Sequence, residues 1–427
     1  MQTKVNFYTG DPLCQSIDFL YTASLCGGDS CIGKFPDLST YKGANALFLP
    51  LSILDIRNLS RNHFIGDLPQ FEGRYIFDRI NTSYFDLIKS GKMIIFIDYS
   101  GEGAYFSSDI MTEFHRELVR LDINPRHVVM INESHAFKNQ YNLWCAKQNT
   151  TPINVVSYNH AKYHFAGTMA VAGRDDLNAR SKDLRDAIEK AKPRRKIFVC
   201  LNNIAKLHRV ALVGYLHHCQ QMAGGFVSLI ESVGSEYHDH FFRDSNALLG
   251  ERSFDRELFD YIMKLIPIYA DTEAGHARGE LAGRPGADFL YTESYFSIVT
   301  ESDFSDGSIE RFTEKVFKPI VNFHPFIVFG NPGTLRLLKE EGFLTFDPYI
   351  DETYDSVCDP VVRFQMLLSE LERLMQLSED KWQTMIEEIE PILSHNFNKF
   401  RFNTLNTYIH DPVHSKLSKI SAGNYDF

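Results

Sequence analysis

Glu301, Thr313, Glu314, Lys315 and Lys318 stand close together in the chain, and Arg209 precedes them by about one Rossmann-type unit. An arginine brings a fixed charge and a planar fork of donors suited to phosphate oxygens. A lysine at the mouth of a helix adds a second cation where anions are already favoured. Carboxylates can hold vicinal hydroxyls, as an acidic residue holds a nucleotide ribose. Cations for a diphosphate and carboxylates for hydroxyls together describe a nucleotide-sugar site. Singly, each residue also fits an ordinary role: Arg209 as a helix-surface arginine, Glu314 and Lys315 as solvated first-turn charges. Their common placement after strands of one domain favours the site.

The elements that must position them are legible. Residues 196–201 (KIFVCL), 226–230 and 296–300 (FSIVT) are short apolar runs rich in β-branched and aromatic residues, and read as buried strands. The segment 202–219 is a loop running into a helix and carries Arg209. Glu301 and Ser302 follow the strand 296–300. A helix opens at Thr313-Glu314-Lys315, with Pro319 ending or kinking it so that its first turn stays at the ligand. The strand 325–330 (PFIVFG) follows, then a helix over 334–341 that Gly342 ends, and a short strand at 344–346.

The first half carries a second alternating unit. Residues 93–98 (MIIFID) read as a strand and 99–108 (YSGEGAYFSS) as a Gly-rich loop. Ser108 or Asp109 caps a helix to about Leu121, which Asn124-Pro125 stops. Strands at 127–131 and 154–157 complete a βαβ pattern, which implies parallel pairing. The polar segment 172–195, with a short helix, marks a domain boundary, and the cluster KAKPRRK at 190–196 reads as a solvated linker. The pattern predicts an α/β protein of two Rossmann-like doubly wound domains facing across a cleft. The divisions are 1–190, 196–378 and a helical tail over 379–427 that crosses back to the first domain. A chain of 427 residues suits two cores.

The span 196–346 resembles the donor-binding half of nucleotide-sugar glycosyltransferases of the two-Rossmann (GT-B) architecture, and is most similar to their fucosyltransferase-like group. The resemblance rests on Phe-x-x-x-x-Glu at 296–301, Thr313-Glu314-Lys315 about a dozen residues later, and Pro-apolar-Gly at 325–330. It implies that Arg209, in KLHR, contacts the diphosphate, that Glu314 holds the ribose, and that Lys315 holds a phosphate. Ser302 replaces the group's usual Asn, and Lys318-Pro319 departs from its usual continuation, so fucose is not implied. The implied activity is sugar transfer from a nucleotide-sugar donor to a hydroxyl acceptor, with inversion, and the expected setting is the assembly of a glycan or surface polysaccharide.

An inverting transfer needs a carboxylate to take the acceptor proton. Glu102, in the loop after 93–98, is the first candidate, with Asp98 and Asp109 as rivals. No Asp-x-Asp motif occurs, Asp303 and Asp306 being three apart, so a metal-independent site is expected, with Arg209, Lys315, Lys318 and first-turn amides stabilising the leaving group. His238 and His240 lack a third ligand at metal spacing, as do Cys26 and Cys31. The net charge of −11 disfavours a nucleic-acid partner, so a hydroxymethylated DNA base is a secondary acceptor and a non-catalytic nucleotide-binding role the remaining alternative. Scattered cysteines, no membrane-length apolar run and no signal-peptide pattern point to a cytoplasmic protein.

Overall fold

The computed structural model describes residues 4–10, 32–52, 77, 80–100, 105–171, 185–186, 193–270, 288–401 and 412–425. The chain divides into two compact units, one of Met1–Ala170, Ser308–Arg311 and Thr404–Phe427, the other of Val171–Gly307 and Phe312–Asn403.

The first unit is built on six parallel strands: β1 Val5–Tyr8, β2 Ile32–Phe35, β3 Leu47–Ser52, β4 Met93–Tyr99, β5 Val128–Asn132 and β6 Asn154–Ser157, in the order β2-β1-β3-β4-β5-β6. Every residue of β4 is buried. Met93, Ile95, Ile97 and Tyr99 enter one core, Ile94 and Phe96 another, as expected of a parallel sheet covered on both faces. The helix Ser108–Arg120 packs Met111, Phe114 and Leu118 into the first of these cores. Its N-cap is Ser107, with no side-chain capping bond, so Ser108 and Asp109 occupy the first turn instead of capping it. The helix Pro412–Ser421 closes the second core with Leu417 and Ile420.

The second unit has four parallel strands: β7 Lys196–Ile204, β8 Gly225–Glu231, β9 Ser294–Thr300 and β10 Phe326–Phe329, in the order β10-β9-β7-β8. The helix Leu207–His218 follows β7 and is buried from His208 to Leu216. The helix Glu379–Lys399 belongs to this unit, and stacks Trp382 on Phe296 at 5.1 Å between ring centroids.

Three expectations are corrected. Residues 344–346 form no strand: Asn396 pairs through its amide with both backbone groups of Leu344, and Glu352 accepts from the Phe346 N–H, so side chains meet the needs a ladder would meet. The described part of KAKPRRK is not solvated linker. Arg194 is 8% exposed, donates to the Ser294 carbonyl and lies over the Tyr295 ring, while Arg195 pairs with Glu293 and Lys196 opens β7. The helix after Thr313-Glu314-Lys315 begins only at Phe317 and runs to Val321, with Pro319 inside it. The helix expected within 172–195 lies mostly outside the described residues.

Candidate functional site

Strand order in the second sheet reverses between β7 and β9. Ligands of open parallel sheets sit at such switch points, beyond the carboxyl ends of the strands. Glu301 directly follows β9 and is 2% exposed. Its N–H donates to the Phe329 carbonyl at 2.9 Å. Its carboxylate accepts from the Thr313 N–H at 3.0 Å and the Thr313 hydroxyl at 2.5 Å. Glu301 is thereby the anchor of the 313–316 turn. A Cβ on Gly330 would stand 3.0 Å from Glu301 Cγ, so glycine keeps room for this side chain.

Lys315 is a hub. Its ammonium donates to the Ser302 and Thr313 hydroxyls and to Glu314 Oε1, each at 3.1 Å. An ammonium has three donors, and all three are engaged. Lys206, the residue before the helix Leu207–His218, donates to the Ser302 carbonyl at 2.6 Å. Arg209 is 3% exposed and turned onto the two strand ends: Nη1 donates to the Ile204 carbonyl, Nη2 to those of Thr300 and Glu301. Its Nε–H is buried and has no acceptor among the described residues. Just inside, the Thr300 hydroxyl donates to Asn202 Oδ1 at 2.5 Å and ties β9 to β7.

Lys318 differs from its neighbours. Its ammonium makes no hydrogen bond or ion pair among the described residues, and its side chain lines a small cavity with Lys315, Thr300, Leu201 and Tyr291. Burial lowers its pKa, opposed by Glu314 and reinforced by Lys315 and Arg209. Burial pushes Glu314 up, but Lys315 and Lys318 outweigh it and bring the carboxyl down to about 2, so it is ionised at neutral pH. Its side chain is 36% exposed, that of Lys315 20%. His208 is fully buried, so its pKa lies well below the ordinary value and the ring is neutral; Nε2 donates to the Glu301 carbonyl at 3.0 Å.

The structure therefore brings Arg209, Glu301, Thr313, Glu314, Lys315 and Lys318 into one charged cluster. Asn202 near the end of β7, and Lys206 and His208 just after it, join them; their place at the carboxyl end of that strand is a signal open to sequence reading. Glu102 lies outside the described residues, as do Cys26 and Cys31. Asp98 is 6% exposed at the end of β4 and accepts from the Ser100 N–H. Asp109 is exposed in its first turn. His240 pairs with Asp244 at 3.0 Å. Among the described residues no three of His, Cys, Asp and Glu gather closely enough to hold a metal ion, and no helix is long and apolar enough to cross a membrane.

No family model matches the chain, and no curated protein matches it. Among solved structures, it is similar to an alpha,alpha-trehalose-phosphate synthase (UDP-forming) from Burkholderia vietnamiensis, with 15% identity over 78% of this chain and 68% of that one and a TM-score of 0.40. It is also similar to an alpha,alpha-trehalose 6-phosphate synthase from Burkholderia multivorans, with 12% identity over 95% of this chain and 75% of that one and a TM-score of 0.40. The strand order and parallel pairing of the two sheets define the class: an α/β protein of two Rossmann-like units.

Proposed function

We propose that this protein is a glycosyltransferase that moves a sugar from a nucleotide-sugar donor to a hydroxyl acceptor, with the donor diphosphate at the carboxyl edge of the β7–β9 pair. One observation carries the reading: at that switch point, among the described residues, the Lys318 ammonium has no hydrogen-bond or ion-pair partner and the buried Arg209 Nε–H has no acceptor. A diphosphate supplies oxygens for both kinds of donor, and a buried unsatisfied donor calls for such a partner.

In this reading Lys318 is the principal phosphate contact. Lys315 joins it by exchanging one of its three present acceptors for a phosphate oxygen. Arg209 holds the ends of β7 and β9 together and offers its remaining donors to the diphosphate. Glu314, ionised and partly exposed, accepts from the ribose hydroxyls. Glu301 and Thr313 are positioning residues that hold the turn. As the bond from the sugar to the diphosphate breaks, negative charge grows on the leaving phosphate, and these fixed cations stabilise it without a divalent metal. The acceptor hydroxyl attacks the anomeric carbon with inversion and gives its proton to a carboxylate, to which Glu102 is assigned. Assembly of a cytoplasmic glycan or surface-polysaccharide precursor is the proposed setting.

The test is calorimetric titration with nucleoside diphosphates and their sugars, followed by an assay for diphosphate release with candidate acceptors. Binding of a nucleoside diphosphate, weakened in Lys318→Ala, supports the reading. Failure of every nucleoside diphosphate to bind overturns it, and binding without sugar release leaves the non-catalytic alternative.

A further inference from the structure

A second concavity lies in the first unit, at the amino edge of its sheet. Arg126 precedes β5, Thr150 and Asn154 lie on the path into β6, and Lys138 and Asn142 project from the helix His135–Gln148. With Tyr425 they line a cavity of about 420 Å³. This volume is in the range of small-molecule sites. The edge is opposite to the carboxyl ends where the first unit's sheet would serve catalysis.

Among the described residues the lining is cationic, and no carboxylate lines the cavity. Neither Arg126 nor Lys138 has an ion-pair partner among the described residues, in a chain whose net charge is −11. Lys416 stands close enough to oppose the charge of Lys138, whose pKa is lowered first by burial and then by that neighbour. Burial also keeps the Cys145 thiol and the Tyr425 phenol protonated, so neither balances the cations.

Arg126 is also held in place. Asn124 accepts from its N–H at 3.0 Å, and the Asn154 amide donates to its carbonyl at 2.8 Å. Its guanidinium lies over the Tyr425 ring, 5.7 Å from the centroid. A guanidinium over an aromatic face, an ammonium lining the same cavity, and a neutral donor on Asn142 suit a phosphoryl group joined to a small polar body.

We propose that this cavity binds a small soluble phosphate-bearing molecule, with its phosphoryl group between Arg126 and Lys138. The site is independent of the donor site in the second unit.

The test titrates the whole chain carrying Lys318→Met, which removes the principal phosphate contact proposed for the second unit, with sodium pyrophosphate at fixed ionic strength. Adding Arg126→Gln or Lys138→Gln should raise the dissociation constant about tenfold or more, the effect of losing a charged hydrogen bond. Lys138→Arg, which keeps the charge, should retain most of the affinity. Absence of binding in the Lys318→Met parent overturns the proposal. So does an unchanged affinity in both glutamine variants, or an equal loss in Lys138→Arg and Lys138→Gln, which would assign the effect to packing.

Discussion

Replacing Lys318 by methionine separates ligand binding from folding more cleanly than any other change at the site. Among the described residues the ammonium makes no hydrogen bond, and burial works against its charge more than Glu314 favours it. Met keeps most of the apolar stem and removes that charge, so the free protein should melt at the same temperature or slightly higher. Binding should respond differently. A hydrogen bond to a charged group contributes about 1.5–3 kcal/mol, so the dissociation constant for a nucleoside diphosphate should rise about tenfold to 150-fold. Lys315→Met is the contrast: it breaks three hydrogen bonds that hold the 313–315 turn, and should lower melting temperature and affinity together. Calorimetry for affinity and differential scanning for melting give both quantities on the same samples. If Lys318→Met binds as the wild type does, or melts as early as Lys315→Met, the partnerless lysine is not the phosphate contact.

Three further outcomes are expected. Glu102→Gln should keep donor affinity and lose about 10²–10⁴-fold in transfer; normal turnover there, with Asp98→Asn inactive, would move the base to Asp98. Exhaustive EDTA treatment should leave transfer intact, and activity lost to EDTA and restored by Mg²⁺ or Mn²⁺ would refute the cationic account of the leaving group. The third concerns His324, which is fully buried: Nε2 faces the Ser294 carbonyl at 2.7 Å and so carries the proton, and Nδ1 accepts from the Ser297 hydroxyl at 2.7 Å. Burial, with Arg194 nearby, depresses its pKa from 6.5 to about 3. Between those values the unfolded chain binds a proton that the folded chain does not. The stability from this group is therefore full above pH 6.5 and falls as pH drops toward 3, by up to about 1.4 kcal/mol per pH unit. Denaturant titrations across that range should show a shallower decline in His324→Gln, and an equal slope would count against a neutral buried ring.

The strands that carry the site were legible because they are apolar on both faces. β4 and β9 depart from their expected spans by one or two residues, and every residue of each is buried. The edge of the first sheet was not legible. β1 and β2 are four residues long and mix polar with apolar positions, and β3 carries Pro50 in mid-strand, where a missing N–H argues against a central place. The helices Arg256–Leu265 and Pro360–Met375 do announce themselves, through Asp255 and Asp359 as caps and apolar residues at helical spacing, but carry none of the chemistry that led the reading. At the site, position after a strand was enough to gather the residues, and not enough to say which donors remain open. Arg209 is occupied by backbone carbonyls and Lys315 by two hydroxyls and a carboxylate, because the chain folds those acceptors back from β7, β9 and Ser302. Such partnerships depend on tertiary neighbours and leave no periodic trace.

The same geometry explains why the Lys-Pro pair at 318–319 does not disrupt the segment that carries it. Pro319 is the third residue of the helix Phe317–Val321, where its absent N–H would have had no intrahelical partner. The helix then closes quickly. The His324 N–H returns to the Pro319 carbonyl at 3.0 Å, with Phe323 between them at φ 51°. Glycine is the usual occupant of that left-handed position, and a larger residue there costs about 1–3 kcal/mol. Phe323 offsets this by stacking on Phe397 at 4.4 Å and lying under Arg185. Glu301 fixes the start of the segment through Thr313, and the Phe323 closure fixes its end. Between them the chain has little freedom: Glu314 pairs with Lys315, and Lys318 is left beside the switch point with no partner for its ammonium among the described residues. A helix running on past Val321 would not need that closure, so the shortness of the helix is part of what fixes Lys318 at the carboxyl edge of the sheet.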